Sequence, residues 1–238
     1  MTEYEEKIRE ELRQWEKKIL RKPSLLDRKT SALQQKINTH IPEKVHDVLT
    51  AAIRNMVKGV LFGSVHSTTK ASGNFNLQET EYLVKDKIAF YKNTAAVEGS
   101  ITGFGGILTG LADFPLFLSI KIKMLFEIAS LYGFDVKEIN ERIYILNIFQ
   151  LTFSSQLHRH LVFSSMQQWD QQSTLPDLKT FDWKKFQQEY RDHIDIAKLA
   201  QLLPGIGAVV GFVVNERLTK RLGTYAMNAY RMRLLQKS

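Results

Sequence analysis

Residues 101–120, ITGFGGILTGLADFPLFLSI, are apolar enough to cross a bilayer yet carry four glycines, a proline and one carboxylate, Asp113. At helical spacing Gly103, Gly106, Gly110 and Asp113 stand at steps of three, four and three, so the glycines form one stripe that the acid continues. Ten Ile, Leu or Phe residues in this run supply about −3 to −6 kcal/mol towards insertion, and one Asp near the centre costs about +2.5 to +3.5 kcal/mol. Glycine exposes backbone, and Pro115 interrupts the helix. The balance favours a kinked, close-packing helix buried in protein over a simple span. Asp113, two residues before Pro115, is placed to cap the helix that follows, with proline in its first turn.

A second stretch, residues 202–215 (LLPGIGAVVGFVVN), repeats the design. It opens with Pro204 and sets Gly207, Gly211 and Asn215 at steps of four. It is shorter than the twenty or so residues a span requires. Two glycine stripes that each end in a polar residue are expected to pack on one another. Antiparallel packing brings Asp113 to the positive end of the second helix, and parallel packing brings Asp113 to Asn215. Small-xxx-small spacing also permits a membrane hairpin, the integral alternative.

Nearly every other segment has apolar residues recurring at three and four, and none alternates with strand period, so an all-α, multi-helix fold is expected around the two glycine-rich helices. Tyr4, Ile8, Leu12, Trp15 and Ile19 give the first helix a narrow apolar stripe that ends before Pro23. A further helix follows Pro42, with Arg54 and Lys58 on its polar side. Residues 63–76 (GSVHSTTKASGNFN) read as the principal loop, and Asn76 with Glu79 as a cap for a helix to about Val97. Gly133 should stop the helix after Asp113, and Asp135 with Glu138 should cap one long helix running through Leu161. The second glycine helix and a separate basic terminal helix complete the set. The expected organisation is residues 1–62 as amphipathic N-terminal helices, 63–76 as loop and 77–238 as the helical core, all in one continuous domain.

At 238 residues and 44% apolar content the chain can bury a substantial core. With no cysteine it has neither disulfides nor thiolate metal sites, and its charged N-terminus lacks the apolar stretch of a secretory signal. The expected location is the cytoplasm, with peripheral attachment to the inner face of the cell membrane. The net charge of +8 concentrates at the C-terminus, where Arg217, Lys220, Arg221, Arg231 and Arg233 define an expected docking surface for membrane or partner. Aromatic and basic residues are not interleaved as in a nucleic-acid module, so nucleic acid is not an expected partner.

His158 and His160 lie two apart on a predicted helix, about 200° around it, and cannot share a metal there. Neither H-E-x-x-H, G-x-S-x-G nor a Walker loop occurs. No metal, cofactor or catalytic residue is assigned. The enzymatic alternative is a hydrolase that uses Asp113 with Lys121, Lys123 or a loop histidine, although His66 in the Ser/Thr loop reads most simply as a surface residue.

The string GGILTGLADFPLFLSIKIKMLFEIASLYGFD (residues 105–135) resembles the central signature of the EcsC protein family. LPGIGAVVGFVVNERL (203–218) resembles its second glycine element and AYRMRLL (229–235) its usual ending. INTHIPEKVHDVLTAAIR (37–54) is similar to the branch found in Gram-positive bacteria. The signature positions carried over are Gly106, Gly110, Asp113, Pro115, Tyr132, Gly133, Pro204, Gly207, Gly211 and Asn215. The resemblance implies a protein encoded with the ATPase and membrane subunits of an ABC transporter and linked to export and secretion. It implies no reaction. The expectation is a non-enzymatic accessory protein whose partners are transporter subunits or an anionic membrane surface.

Overall fold

The computed structural model describes residues 2–22, 43–62, 75–103, 114–171 and 207–237. Among them every regular element is helical: α1 (Glu3–Leu20), α2 (Glu43–Phe62), α3 (Leu77–Gly103), α4 (Phe114–Leu131), α5 (Ile139–Phe153), α6 (Gln156–Gln167), a 3₁₀ turn (Trp169–Gln171) and α7 (Gly207–Lys237). No described helix is long and apolar enough to cross a membrane. The run at 101–120 is divided: its first three residues close α3 and its last seven open α4.

Local chemistry accounts for several helix ends. Thr2 accepts from the Glu5 amide (3.2 Å) while Glu5 accepts from the Thr2 amide (2.9 Å), a capping box that starts α1. Asn76 and Glu79 make the same exchange (3.0 and 2.9 Å) at the start of α3, as expected. Helix α3 continues beyond the expected stop near Val97 to Gly103. Gly133 adopts φ +83° and ends α4: its amide reaches the Ser130 carbonyl (3.0 Å) and the Phe134 amide reaches Ala129 (3.0 Å).

Two expectations about α5 are corrected. Asp135 does not cap α5; its carboxylate accepts from the Lys137 amide (2.9 Å) in a tight turn, and Glu138 precedes the helix without a side-chain cap. The single long helix through Leu161 is two helices. Arg159 donates to the carbonyls of Leu151 and Ser154 (2.9 Å each), satisfying the end of α5, and Ser155 accepts from the His158 amide (3.3 Å) to start α6. Other long side chains close other helix ends across the fold. Gln156 donates to the carbonyls of Ile19 and Arg21 at the end of α1, and Arg142 donates to the Leu61 carbonyl (2.7 Å) at the end of α2.

One buried apolar cluster draws residues from all seven described helices, so α1 and α2 share the core of the later elements. Helix α7 is its axis. It packs along α3 and also meets α4, α5, α1 and α6. The described part of the second glycine segment, from Gly207, and the basic terminus form one 31-residue helix rather than two. Three contacts fix an antiparallel register between α7 and α3: Arg231 with Glu81, Gly223 with Ile88, and Glu216 with Lys92 (3.3 Å).

Candidate functional site

Two groups of ion-paired side chains, centred on Arg231 and Arg233, gather around the end of α7. Arg231 and Arg233 stand two apart, about 200° around the helix, so they leave it on opposite sides. Protein covers both sides, and the two residues are only 1% and 5% exposed. This corrects the expected docking surface, because neither arginine is available to a membrane or partner.

On one side Arg231 grips both oxygens of Glu81 on α3, through Nε to Oε1 (2.6 Å) and through Nη2 to Oε2. Its Nη1 donates to Glu11 of α1 (3.1 Å) and to Asn228 (3.0 Å), and the Tyr4 hydroxyl donates to Glu81 (2.7 Å). On the other side Arg233 makes a fork with Asp170 of the 3₁₀ turn (2.8 and 2.7 Å) and donates to Glu141 of α5 (2.6 Å). The Tyr230 hydroxyl donates to the second Glu141 oxygen (2.6 Å). Arg233 also lies 4.0 Å from the Phe134 ring centre and 4.4 Å from that of Tyr144.

Burial opposes both guanidinium charges, yet hydrogen bonds and charge from Glu81 on one side and from Asp170 and Glu141 on the other hold them above the usual arginine value. Burial raises the Glu141 carboxyl, and the attraction of Arg233 only partly offsets it. Burial and then the Glu81 carboxylate push Tyr4 up to about 12. Each arginine is thus matched by two carboxylates. The arrangement fastens α7 to α1 and α3 on one side and to α5 and the 3₁₀ turn on the other.

The signature positions divide between this region and segments outside the described residues. Tyr132 is buried and stacks on Tyr230 (5.5 Å, 24°), and Gly133 makes the turn that ends α4. Pro115 stands in the first turn of α4, the place proline tolerates best. Gly207 and Gly211 lie in the first turns of α7, and Asn215 is fully buried one turn further on, its carbonyl accepting from Thr219 (2.7 Å). Gly106, Gly110, Asp113, Pro204 and His66 lie outside the described residues, so the packing of the two glycine stripes and the capping by Asp113 do too. Lys121 is buried in α4 and Lys123 is exposed. His158 is buried on α6, whereas His160 approaches the Arg21 carbonyl (3.2 Å). Arg217, Lys220 and Arg221 are exposed within about a 100° arc of α7, with Arg221 5.5 Å from the Tyr225 ring centre.

The sequence pattern did not assign Glu11, Glu81, Glu141 and Asp170 as arginine partners. One of them was readable. Glu81 stands in the buried stripe of α3 with Val84, Ile88 and Tyr91, where an acid demands a partner. A cleft of about 530 Å³ separates the starts of α1 and α3, lined by Thr2, Glu3, Tyr4, Asn76 and Gln78 among others. Its helix ends are occupied by their own capping boxes.

The EcsC protein family model matches residues 6–235. The chain is 43% identical over 232 residues to Protein EcsC of Bacillus subtilis (strain 168), covering 97% of this chain and 96% of that one. It is 32% identical over 143 residues to Uncharacterized protein YdbA of the same organism, covering 59% and 53% of the two chains. No solved structure matches.

Proposed function

The chain belongs to the EcsC protein family, and from that premise we propose that it is a non-enzymatic accessory protein of an ABC transporter, linked to secretion and acting at the cytoplasmic face of the membrane. Its partners in this reading are transporter subunits and the anionic inner leaflet. The observation that carries the reading is the exposed arc of Arg217, Lys220 and Arg221, three cations on the outer side of the helix that organises the core. A rigid helix presenting fixed positive charge suits recognition of an acidic surface. Arg231 and Arg233 support it indirectly, because their charges are engaged inside the fold in holding that helix in place.

Crosslinking in native membranes followed by capture of this protein tests the reading. Recovery of an ATPase or membrane subunit of an ABC transporter is expected with the wild type. Recovery should fall at least ten-fold with the combined Arg217→Glu, Lys220→Glu and Arg221→Glu substitutions. A wild-type capture that contains no transporter subunit overturns the proposal.

A further inference from the structure

The outer side of α3 carries three large apolar residues in water: Tyr82, Phe90 and Val97 are 74%, 59% and 56% exposed. Single exposed apolar residues are ordinary. These three are spaced by eight and seven, which confines them to an arc of about 80° on one helix. At 1.5 Å per residue they form a broken ridge about 22 Å long. Exposed Asp86, Ala89 and Asn93 stand between them. Exposed Lys85 and half-buried Lys92 lie to one side of the ridge, on the flank that turns towards α7.

The register with α7 extends this face. Glu216 and Lys92 meet across the seam between the helices. In an antiparallel pair, one residue further along each chain turns both helices towards the same side of the seam. Arg217 and Asn93 therefore emerge together, and Lys220 lies level with Phe90. The result is an apolar ridge on α3 bordered along one flank by cations from both helices, and on this face Lys85, Lys92, Arg217 and Lys220 outnumber the acids Glu79, Asp86 and Glu216. We infer that this α3–α7 face is a bilayer-docking surface for anionic lipid, with Tyr82, Phe90 and Val97 entering the headgroup region and Lys85, Arg217 and Lys220 meeting the phosphates. The inference rests on the proposed membrane role and assigns the lipid contact to a face centred on α3.

Bilayer fits this face better than a protein groove does. The apolar residues are separated by about two helical turns each, with polar or small residues between them, so they form no continuous patch for a shaped partner to cover. An interface that accepts separate aromatic side chains and nearby cations without shape matching is the headgroup layer of an anionic membrane.

The absence of cysteine makes the test direct. Single variants Tyr82→Cys, Phe90→Cys and Val97→Cys are labelled with a polarity-sensitive fluorophore. Leu161→Cys, at a 60% exposed position on α6, serves as the control. With vesicles of phosphatidylglycerol mixed into phosphatidylcholine at low salt, the three α3 probes should shift to the blue and be quenched by spin-labelled lipid, while the probe at 161 stays in water. Pure phosphatidylcholine or high salt should abolish the shift. Lys85→Gln with Lys220→Glu should lower the vesicle-bound fraction at least ten-fold at unchanged helicity. No vesicle binding, binding with the α3 probes still in water, or an equal shift at 161 overturns the inference. Crosslinking of position 90 to a transporter subunit instead of lipid also overturns it. Transporter capture that survives in any of these cases leaves the accessory role standing.

Discussion

Arg231 and Glu81 form a charge pair with almost no access to water, and such pairs are asymmetric in their energetics. Removing one partner strands the other. Arg231→Ala should lower unfolding free energy by about 3–5 kcal/mol, measured by urea denaturation, and Glu81→Ala should do the same. Replacing both with apolar residues of similar volume, Arg231→Met with Glu81→Leu, should recover most of that loss; a double variant as unstable as either single one would show that the pair stabilises beyond charge matching. Exposed Arg217→Ala should change stability by less than about 0.5 kcal/mol. Glu141 is the second residue-scale case. Its folded-state value is raised by burial above the ordinary 4.5. Its contribution to stability is therefore fully present below 4.5 and lost as pH rises through the raised value. Relative to Glu141→Gln, the wild type should lose stability as urea midpoints are followed upward from pH 4.5. A gain over that window would mean that attraction to Arg233 outweighs burial.

Between elements, the contact of α3 with α7 depends on a glycine that the sequence pattern did not single out. A Cβ on Gly223 would stand 2.6 and 2.9 Å from the two branch carbons of Ile88, which is itself buried. Helix propensity alone would make Gly223→Ala favourable by about 1 kcal/mol. Overpacking at a closed helix contact costs about 1–3 kcal/mol, and the clash should win. The coupling is measurable: Ile88→Ala should cost at least about 1 kcal/mol less in the Gly223→Ala background than in the wild type. Equal costs in both backgrounds would place the close contact elsewhere. Element type was legible because amphipathic spacing and capping are local, and both the Asn76–Glu79 box and the Gly133 stop are found where the pattern put them. The break between α5 and α6 was not. Arg159, eight residues beyond the Leu151 carbonyl it satisfies, closes that end from the next helix.

At the scale of the molecule, and among the described helices, α7 meets five others while α1 meets chiefly α7 and α6. Local openings should follow that difference. In amide exchange read by mass spectrometry, residues 222–233 should be the slowest to exchange, and the first two turns of α1 should exchange well before them despite the Thr2–Glu5 cap. Comparable protection in the two segments would contradict α7 as the axis of the fold. The outer side of that axis bears Arg217, Lys220 and Arg221, so the helix on which five of the other described helices pack also places exposed positive charge.

Helical class, most helix positions and membership of a family are written in the linear order of residues, because periodicity, caps and signature strings are carried by residues close together in the chain. Which basic residues face outward is a property of the folded arrangement alone. Arg231 and Arg233 belong to the same basic run as Arg217, Lys220 and Arg221, and composition treats all five alike. Their fates differ because acids 92 to 220 residues distant in sequence, Glu141, Glu81 and Glu11, converge on one end of α7. A charge is buried or exposed according to what the fold brings beside it, and that information is non-local.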